Sequence, residues 1–206
     1  MLIDFSSLCR KYHFVPSGII HVGAHDLEEM GPYQSQGVNR IVWIEGNPDL
    51  VQKNLRRVDG RTQQIFQGVV YSEDEVDLEF KITNNSQSSS VLEFSKHEHY
   101  HPHVVFIETR KVKSVTIDSL LTRNNIDPKE FDFVNLDIQG VELRALKGFG
   151  KYLDNIKYIY TEVNSGEVYK GNDTIQELDE YLSRFGFKRV ETEMSPFEWG
   201  DAFYIR

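Results

Sequence analysis

Apolar residues fall in two repeating patterns along this chain. Short continuous runs alternate with stretches in which apolar residues recur every three or four positions. The runs are Ile19–Gly23, Arg40–Glu45, Gln64–Tyr71, Phe131–Asp137 and Ile156–Glu162. Continuous apolar runs of this length predict strands buried on both faces. The periodic stretches predict helices over 26–37, from Pro48 to Gly60, over 141–153 and over 173–185, behind a lead-in helix within 1–15. Asp26 and Asp173 are read as N-caps, Pro48 as a helix start, and Gly37 and Gly186 as stops. Strands alternating with helices imply a parallel, doubly wound sheet. Two closing strands, near 187–193 and 201–206, have no helix between them. They are expected to pair antiparallel, with the last inserted into the sheet.

The pattern changes between residues 72 and 117. Val76, Leu78 and Phe80 alternate with Asp77, Glu79 and Lys81, and Lys111–Ile117 alternates again. Period two marks half-buried strands. Between them lie the polar stretch Thr83–Ser90 and a His-rich segment, 97–103. This region is expected to be an antiparallel insertion over the open edge of the sheet, covering an acceptor site.

The first strand ends in the turn Gly23-Ala24-His25, and the second ends on Glu45, followed by Gly46 and Asn47. A strand, a tight turn, a helix and a carboxylate about 20 residues on make a nucleotide-binding βαβ unit, in which the acid takes the ribose hydroxyls. The full three-glycine fingerprint is missing, and Glu28 and Glu29 follow the turn. A pyrophosphate needs bare N–H groups there and no acids. The turn therefore suits a cationic adenosine ligand without phosphates, S-adenosylmethionine. A nicotinamide-dependent oxidoreductase is disfavoured for the same reason. A non-catalytic binding module is the other alternative, although such sites tend to lose their strand-end acids.

Asp137-Ile138-Gln139-Gly140-Val141-Glu142 closes the fourth strand. Ligands in such sheets bind at the carboxyl ends of the strands. Glu45, Asp137 and Glu162 therefore form a row of strand-end acids. Asp137 reads either as a site residue or as a helix N-cap. Glu142 reads either as a substrate contact or as an acid favoured by the helix dipole. His25 is placed on the ligand-facing turn, and His21 in the core. The run His97–His103 is read as a surface loop rather than a metal site, because Pro102 interrupts it.

Composition narrows the partners. The chain has 206 residues with a formal net charge of −9, 39% hydrophobic and 27% charged. This is one globular domain, 1–206, without the basic face that nucleic acid requires. Arg110–Lys113 is the one basic strip, read as a solvated strand face. Cys9 is the only cysteine, which excludes an internal disulfide and a cysteine zinc cluster. The N-terminus lacks the marks of a signal peptide, and no run approaches the ~18 apolar residues of a membrane span. A cytoplasmic location is expected, either as a free enzyme or as part of a larger glycan-processing protein.

The segments IIHVGAHDLEE, VWIEGNPDL, SSSVLEF, VTIDSLL, FDFVNLDIQGVELRALKGF, IYTEVN and GDAFYIR resemble the FkbM-type methyltransferases. The family more often has Glu where this chain has Gln139, and Asn where it has His25. The resemblance implies a class I methyltransferase fold: a mostly parallel seven-stranded sheet with helices on both faces. It also implies O-methylation, often of sugars or natural products, with S-adenosylmethionine as methyl donor. The implied cofactor set is Gly23, Ala24, His25, Glu45, Gly46, Asn47, Ser72 and Asp137. Ser88, Ser89, Ser90, Gln139 and Glu142 are the substrate-binding candidates. A hydroxyl must lose a proton on methylation, so Asp137, Glu162 and His25 are the catalytic candidates. Asp137 and Glu162 are alternatively ligands for a divalent cation such as Mg²⁺ or Mn²⁺.

Overall fold

The computed structural model describes residues 1–206. Its first half follows the alternation of the sequence. Helix α1 (Phe5–Tyr12) precedes β1 (Ile19–Val22), α2 (Met30–Ser35), β2 (Ile41–Glu45), α3 (Pro48–Asn54) and β3 (Gln63–Gln67). The insertion holds β4 (Val69–Val70), β5 (Asp77–Thr83), α4 (His97–Tyr100) and β6 (Phe106–Val115). Then follow α5 (Ile117–Arg123), β7 (Phe133–Leu136), α6 (Glu142–Lys147), β8 (Tyr158–Asn164), α7 (Ile175–Ser183), β9 (Lys188–Met194) and β10 (Trp199–Ile205).

Seven strands form one sheet in the order β3-β2-β1-β7-β8-β10-β9. The first five run parallel, and β10 is antiparallel to both β8 and β9. The final strand is therefore inserted into the sheet, as its spacing implies. Successive residues of β1 feed opposite faces. Ile20 and Val22 pack toward α5, α6 and α7, and Ile19 packs with Trp43 and Phe133 toward α1, α2 and α3. His21 is buried on the second face, 3.0 Å from the Tyr33 hydroxyl. Order reverses between β1 and β7, so the carboxyl ends of these two strands flank the switch point.

Local chemistry moves several boundaries. The helix expected over 26–37 shrinks to α2. His25 and Leu27 hold positive φ, and residues 25–29 form turns. Asp26 caps nothing; it pairs with Lys53 at 2.6 Å. The helix from Pro48 ends at Asn54, with Asn47 as its N-cap. The helix expected over 141–153 breaks after Lys147 into a 3₁₀ segment, Gly150–Asn155. Thr174, not Asp173, caps α7, because Thr174 and Glu177 form a reciprocal capping box. The third strand splits: at Gly68 the chain leaves the main sheet, and Val69–Val70 pair with β6. The insertion sheet, β4-β6-β5, thus begins before residue 72. Two members of the basic strip are paired, Arg110 on Asp49 and Glu108, and Lys113 on Asp77. No helix is long and apolar enough to cross a membrane.

Candidate active site

A cavity of about 510 Å³ opens at the carboxyl ends of β1, β2, β7 and β8, and the insertion forms its far wall. Gly23, His25, Glu45, Gly46, Asp137, Gln139, Glu162 and Ser88–Ser90 all line it. The fold therefore unites the strand-end acids with the serine stretch. Ala24, Asn47, Ser72 and Glu142 do not reach the cavity wall.

The β1 turn is set by backbone contact. Gly23 has φ +87°, and an added Cβ would lie 1.8 Å from the Asp137 carbonyl oxygen. Only glycine lets the two central strand ends come this close. Glu45 is buried on the opposite side. Its Oε2 accepts the His25 N–H at 2.8 Å and its Oε1 accepts the Asn47 N–H at 2.7 Å. Each carboxylate oxygen keeps further acceptor capacity toward the cavity. Burial raises the Glu45 carboxyl above its ordinary pKa, partly opposed by the two N–H bonds. The His25 ring spans the site, 2.6 Å from Glu28 and 2.7 Å from Ser86 Oγ. Both ring nitrogens are thus engaged, and His25 ties the β1 turn to the insertion.

The β7 turn carries the acid pair. Gln139 has φ +59° and Gly140 φ +100°, so two consecutive residues are left-handed. The buried Glu142 carboxylate secures this turn by accepting the Ile138 N–H at 3.0 Å and the Gly140 N–H at 3.0 Å. That work explains why Glu142 does not face the cavity: the substrate reading gives way to a brace. Burial pushes its carboxyl up to about 8, with the charge of Asp137 adding to the rise.

Gln139 then bridges the two acids. Its Nε2 donates to Asp137 Oδ1 at 2.6 Å and to Glu162 Oε2 at 2.5 Å, and its Oε1 accepts from the Tyr169 hydroxyl at 2.6 Å. Burial, followed by the negative charge of Asp137, holds the Glu162 carboxyl well above its usual range. Asp137 is the exposed member of the pair and Glu162 the buried one. This arrangement does not fit the divalent-cation alternative. An amide N–H₂ sits between the two carboxylates, where a cation needs oxygen donors. No group of three or more His, Cys, Asp or Glu side chains is disposed to hold a metal ion.

The expectation of a surface loop at 97–103 holds for Glu98, His99, Pro102 and His103, which are exposed, and fails at His97. His97 is 5% exposed, and His97, His101 and His103 line the cavity. Apolar packing explains this: His97 stacks on Phe94 at 4.2 Å, and Phe94 stacks on Phe106 at 4.1 Å. Sequence reasoning also passed over Asn135, Tyr169 and Asp201 as cavity residues. Asn135, a polar side chain inside an apolar strand, was the available signal. Its Oδ1 is buried without a partner, while its Nδ2 donates to the Tyr33 hydroxyl at 2.8 Å. Asp201 accepts from the Tyr160 hydroxyl and the Leu2 N–H.

This sheet order, with its cavity at the strand ends, defines the class I methyltransferase fold. Solved structures share it over nearly the whole chain. A Streptococcus pneumoniae protein described as a candidate tRNA (m1A22) methyltransferase, solved with S-adenosyl-L-methionine, aligns with TM-score 0.52 and 11% identity, covering 98% of this chain and 73% of its own. An uncharacterised Listeria monocytogenes protein aligns at 0.52 and 9%, covering 97% and 66%. A Pyrococcus horikoshii protein described as a candidate RNA methyltransferase aligns at 0.50 and 10%, covering 98% and 80%. At such identities the likeness concerns the fold alone. No curated protein sequence matches the chain. The profile of the FkbM methyltransferase domain matches residues 21–189, and the chain belongs to that family.

Proposed function

We propose that this methyltransferase uses S-adenosylmethionine to methylate a hydroxyl of a small polar acceptor, a sugar residue of a glycan. The observation that carries this reading is the bridged acid pair at the cavity floor, with one member buried and the other exposed.

The cavity chemistry fits the donor. Glu45 is a buried carboxylate at the end of the second strand, with acceptor capacity left for a ribose diol. Glu28, Glu29, Asp137 and Asp201 give the wall a negative character suited to a sulfonium and an ammonium. The unpartnered Oδ1 of Asn135 can accept from such an ammonium. When bound, the cofactor supplies an activated methyl group on a good leaving group. The residues of the chain then have three tasks: to hold both reactants in line, to exclude water and to take up the hydroxyl proton.

Asp137 takes the proton. It lines the cavity, it is exposed to it, and its position is fixed by Gln139. Glu162 is buried, and its carboxyl is raised by that burial and by the charge of Asp137. Gln139, clamped by the Tyr169 hydroxyl, holds the two acids apart and orients Asp137. Ser88, Ser89 and Ser90 support the acceptor side. The Ser90 hydroxyl donates to the Gln139 carbonyl at 2.8 Å, which joins the serine stretch to the acid turn.

The discriminating experiment is calorimetry with S-adenosylmethionine, S-adenosylhomocysteine and NAD, followed by turnover of wild-type and Asp137→Asn proteins. Binding of the first two, and loss of turnover in the variant with binding retained, supports the reading. Binding of NAD in their place removes it.

A further inference from the structure

The cavity carries one sign of charge. Carboxyl groups of Glu28, Glu29, Glu45, Asp137, Glu162 and Asp201 line it, and no lysine or arginine does. Glu28 and Asp137 are exposed and Glu29 is half-buried, so part of this acidic wall is open to a ligand. Histidines are the only basic side chains present. Burial lowers the His21 pKa, and burial with the neighbouring His101 and His103 pushes that of His97 down to about 4. The His25 ring is engaged by Glu28 and Ser86. His101 and His103 belong to the insertion wall, away from the β1 turn.

The strand ends are also poor in free donors. An anion at such a turn is held by bare N–H groups, and here the chain has already used them. The Gly23 and Ala24 N–H groups donate to the Ile44 carbonyl at 2.9 and 3.0 Å, and the Leu27 N–H to the Ala24 carbonyl at 2.8 Å. The His25 N–H donates to Glu45 at 2.8 Å and the Asp26 N–H to Glu28 at 3.1 Å. At the β7 turn the Asp137 N–H is on the Val22 carbonyl at 3.0 Å, and those of Ile138 and Gly140 are on Glu142. Hydroxyls follow the same rule. Ser86 and Ser89 donate to carbonyls of their own loop, Ser90 to the Gln139 carbonyl, Tyr160 to Asp201 and Tyr169 to Gln139. Acceptors, by contrast, are in excess: Glu45 and Asp137 keep lone pairs, and the Asn135 Oδ1 has no partner.

We infer that the cavity recognises its methyl donor by positive charge and not by the amino-acid carboxylate, and that it therefore takes adenosyl sulfonium compounds lacking that carboxylate, decarboxylated S-adenosylmethionine among them. This rests on the function proposed above and specifies its donor end. A carboxylate that enters an acid-lined, donor-poor cavity gives up water and regains no matched partner. Its charge is also of the same sign as that of the wall, within the range over which charges interact. Removing it leaves the sulfonium and the ammonium, both of the sign the wall favours. The demethylated product has the opposite balance: it keeps the carboxylate and has lost the sulfonium charge, so the same wall holds it less tightly than the donor.

The test is isothermal titration calorimetry of the full chain, near neutral pH and at low and high salt, with S-adenosylmethionine, its decarboxylated form and S-adenosylhomocysteine. The decarboxylated donor should bind at least as tightly as S-adenosylmethionine, by up to about tenfold, and S-adenosylhomocysteine should bind less tightly than either. Added salt should narrow both gaps, because screening weakens the charge interactions that set them. A decarboxylated donor held more than about twofold less tightly than S-adenosylmethionine would overturn the inference, since the carboxylate would then have partners in the cavity. A product held more tightly than the donor would overturn it as well. Failure of S-adenosylmethionine itself to bind instead overturns the function on which the inference rests.

Discussion

Glu45→Gln is the substitution with the most calculable consequence. The wild-type carboxylate accepts two backbone N–H groups, from His25 and Asn47. The amide keeps one oxygen and turns an N–H₂ toward the other N–H. One buried donor is then left unmatched, which costs about 1–3 kcal/mol of stability. For a domain of this size that is a fall in Tm of roughly 2–12 °C. The ligand effect is separate. A hydrogen bond to a charged group contributes about 1.5–3 kcal/mol, so losing the charge opposite a ribose diol should weaken S-adenosylhomocysteine about ten- to a hundredfold. Differential scanning fluorimetry reads the first quantity and isothermal titration calorimetry the second. A lowered Tm with unchanged affinity would refute the assignment of Glu45 to the ribose while leaving its structural role intact. An unchanged Tm would refute the hydrogen-bond accounting itself.

Asp137→Asn should cost at least ~10²-fold in turnover, the usual scale of acid–base catalysis, with cofactor affinity little changed; Glu162→Gln keeps an acceptor oxygen for Gln139 and should cost much less. EDTA should leave the rate of the wild-type enzyme unchanged, because Gln139 fills the space between the two acids. The Glu142 carboxyl is raised in the folded state from an ordinary value of 4.5 to about 8. The folded protein thus binds the extra proton within that window, and this contribution to stability is full below it and lost as pH rises through it. Urea unfolding at pH 5 and pH 8 should therefore show a decline that is smaller in Glu142→Gln. Gly23→Ala places a methyl group on the Asp137 carbonyl at positive φ, with strain alone of about 1–3 kcal/mol, so Tm and turnover should fall together.

The sequence revealed most about residues that obey a period. Strand ends were legible because a continuous apolar run stops abruptly at a carboxylate, as at Glu45, Asp137 and Glu162. Fold topology determines that those ends face one cavity. Less legible were features that depend on a partner distant in sequence. Glu142 reads as a first-turn acid until the left-handed turn at Gln139 and Gly140 shows why a buried carboxylate must hold it. Gln139 carries no signal of the bridge it makes, since Asp137, Glu162 and Tyr169 lie on three separate segments. The histidines of 97–103 look like a polar loop by composition. Stacking on Phe94 and anchoring to Val168 turn His97 inward, and neither contact has a local trace. Helix caps failed where two candidates were adjacent: Thr174 prevails over Asp173 because Glu177 completes the box with it.

The central claim is transfer of a methyl group to a sugar oxygen at this acid pair. Its most direct test incubates the protein with S-adenosylmethionine carrying a deuterated methyl group and a set of methyl and p-nitrophenyl glycosides of common hexoses, deoxyhexoses and aminohexoses, and locates the label by mass spectrometry and NMR. The account predicts an O-linked deuteromethyl group on one glycoside, absent from the Asp137→Asn reaction. Label on a nitrogen, label in RNA offered in parallel, or label on the glycoside made equally well by the variant would contradict it.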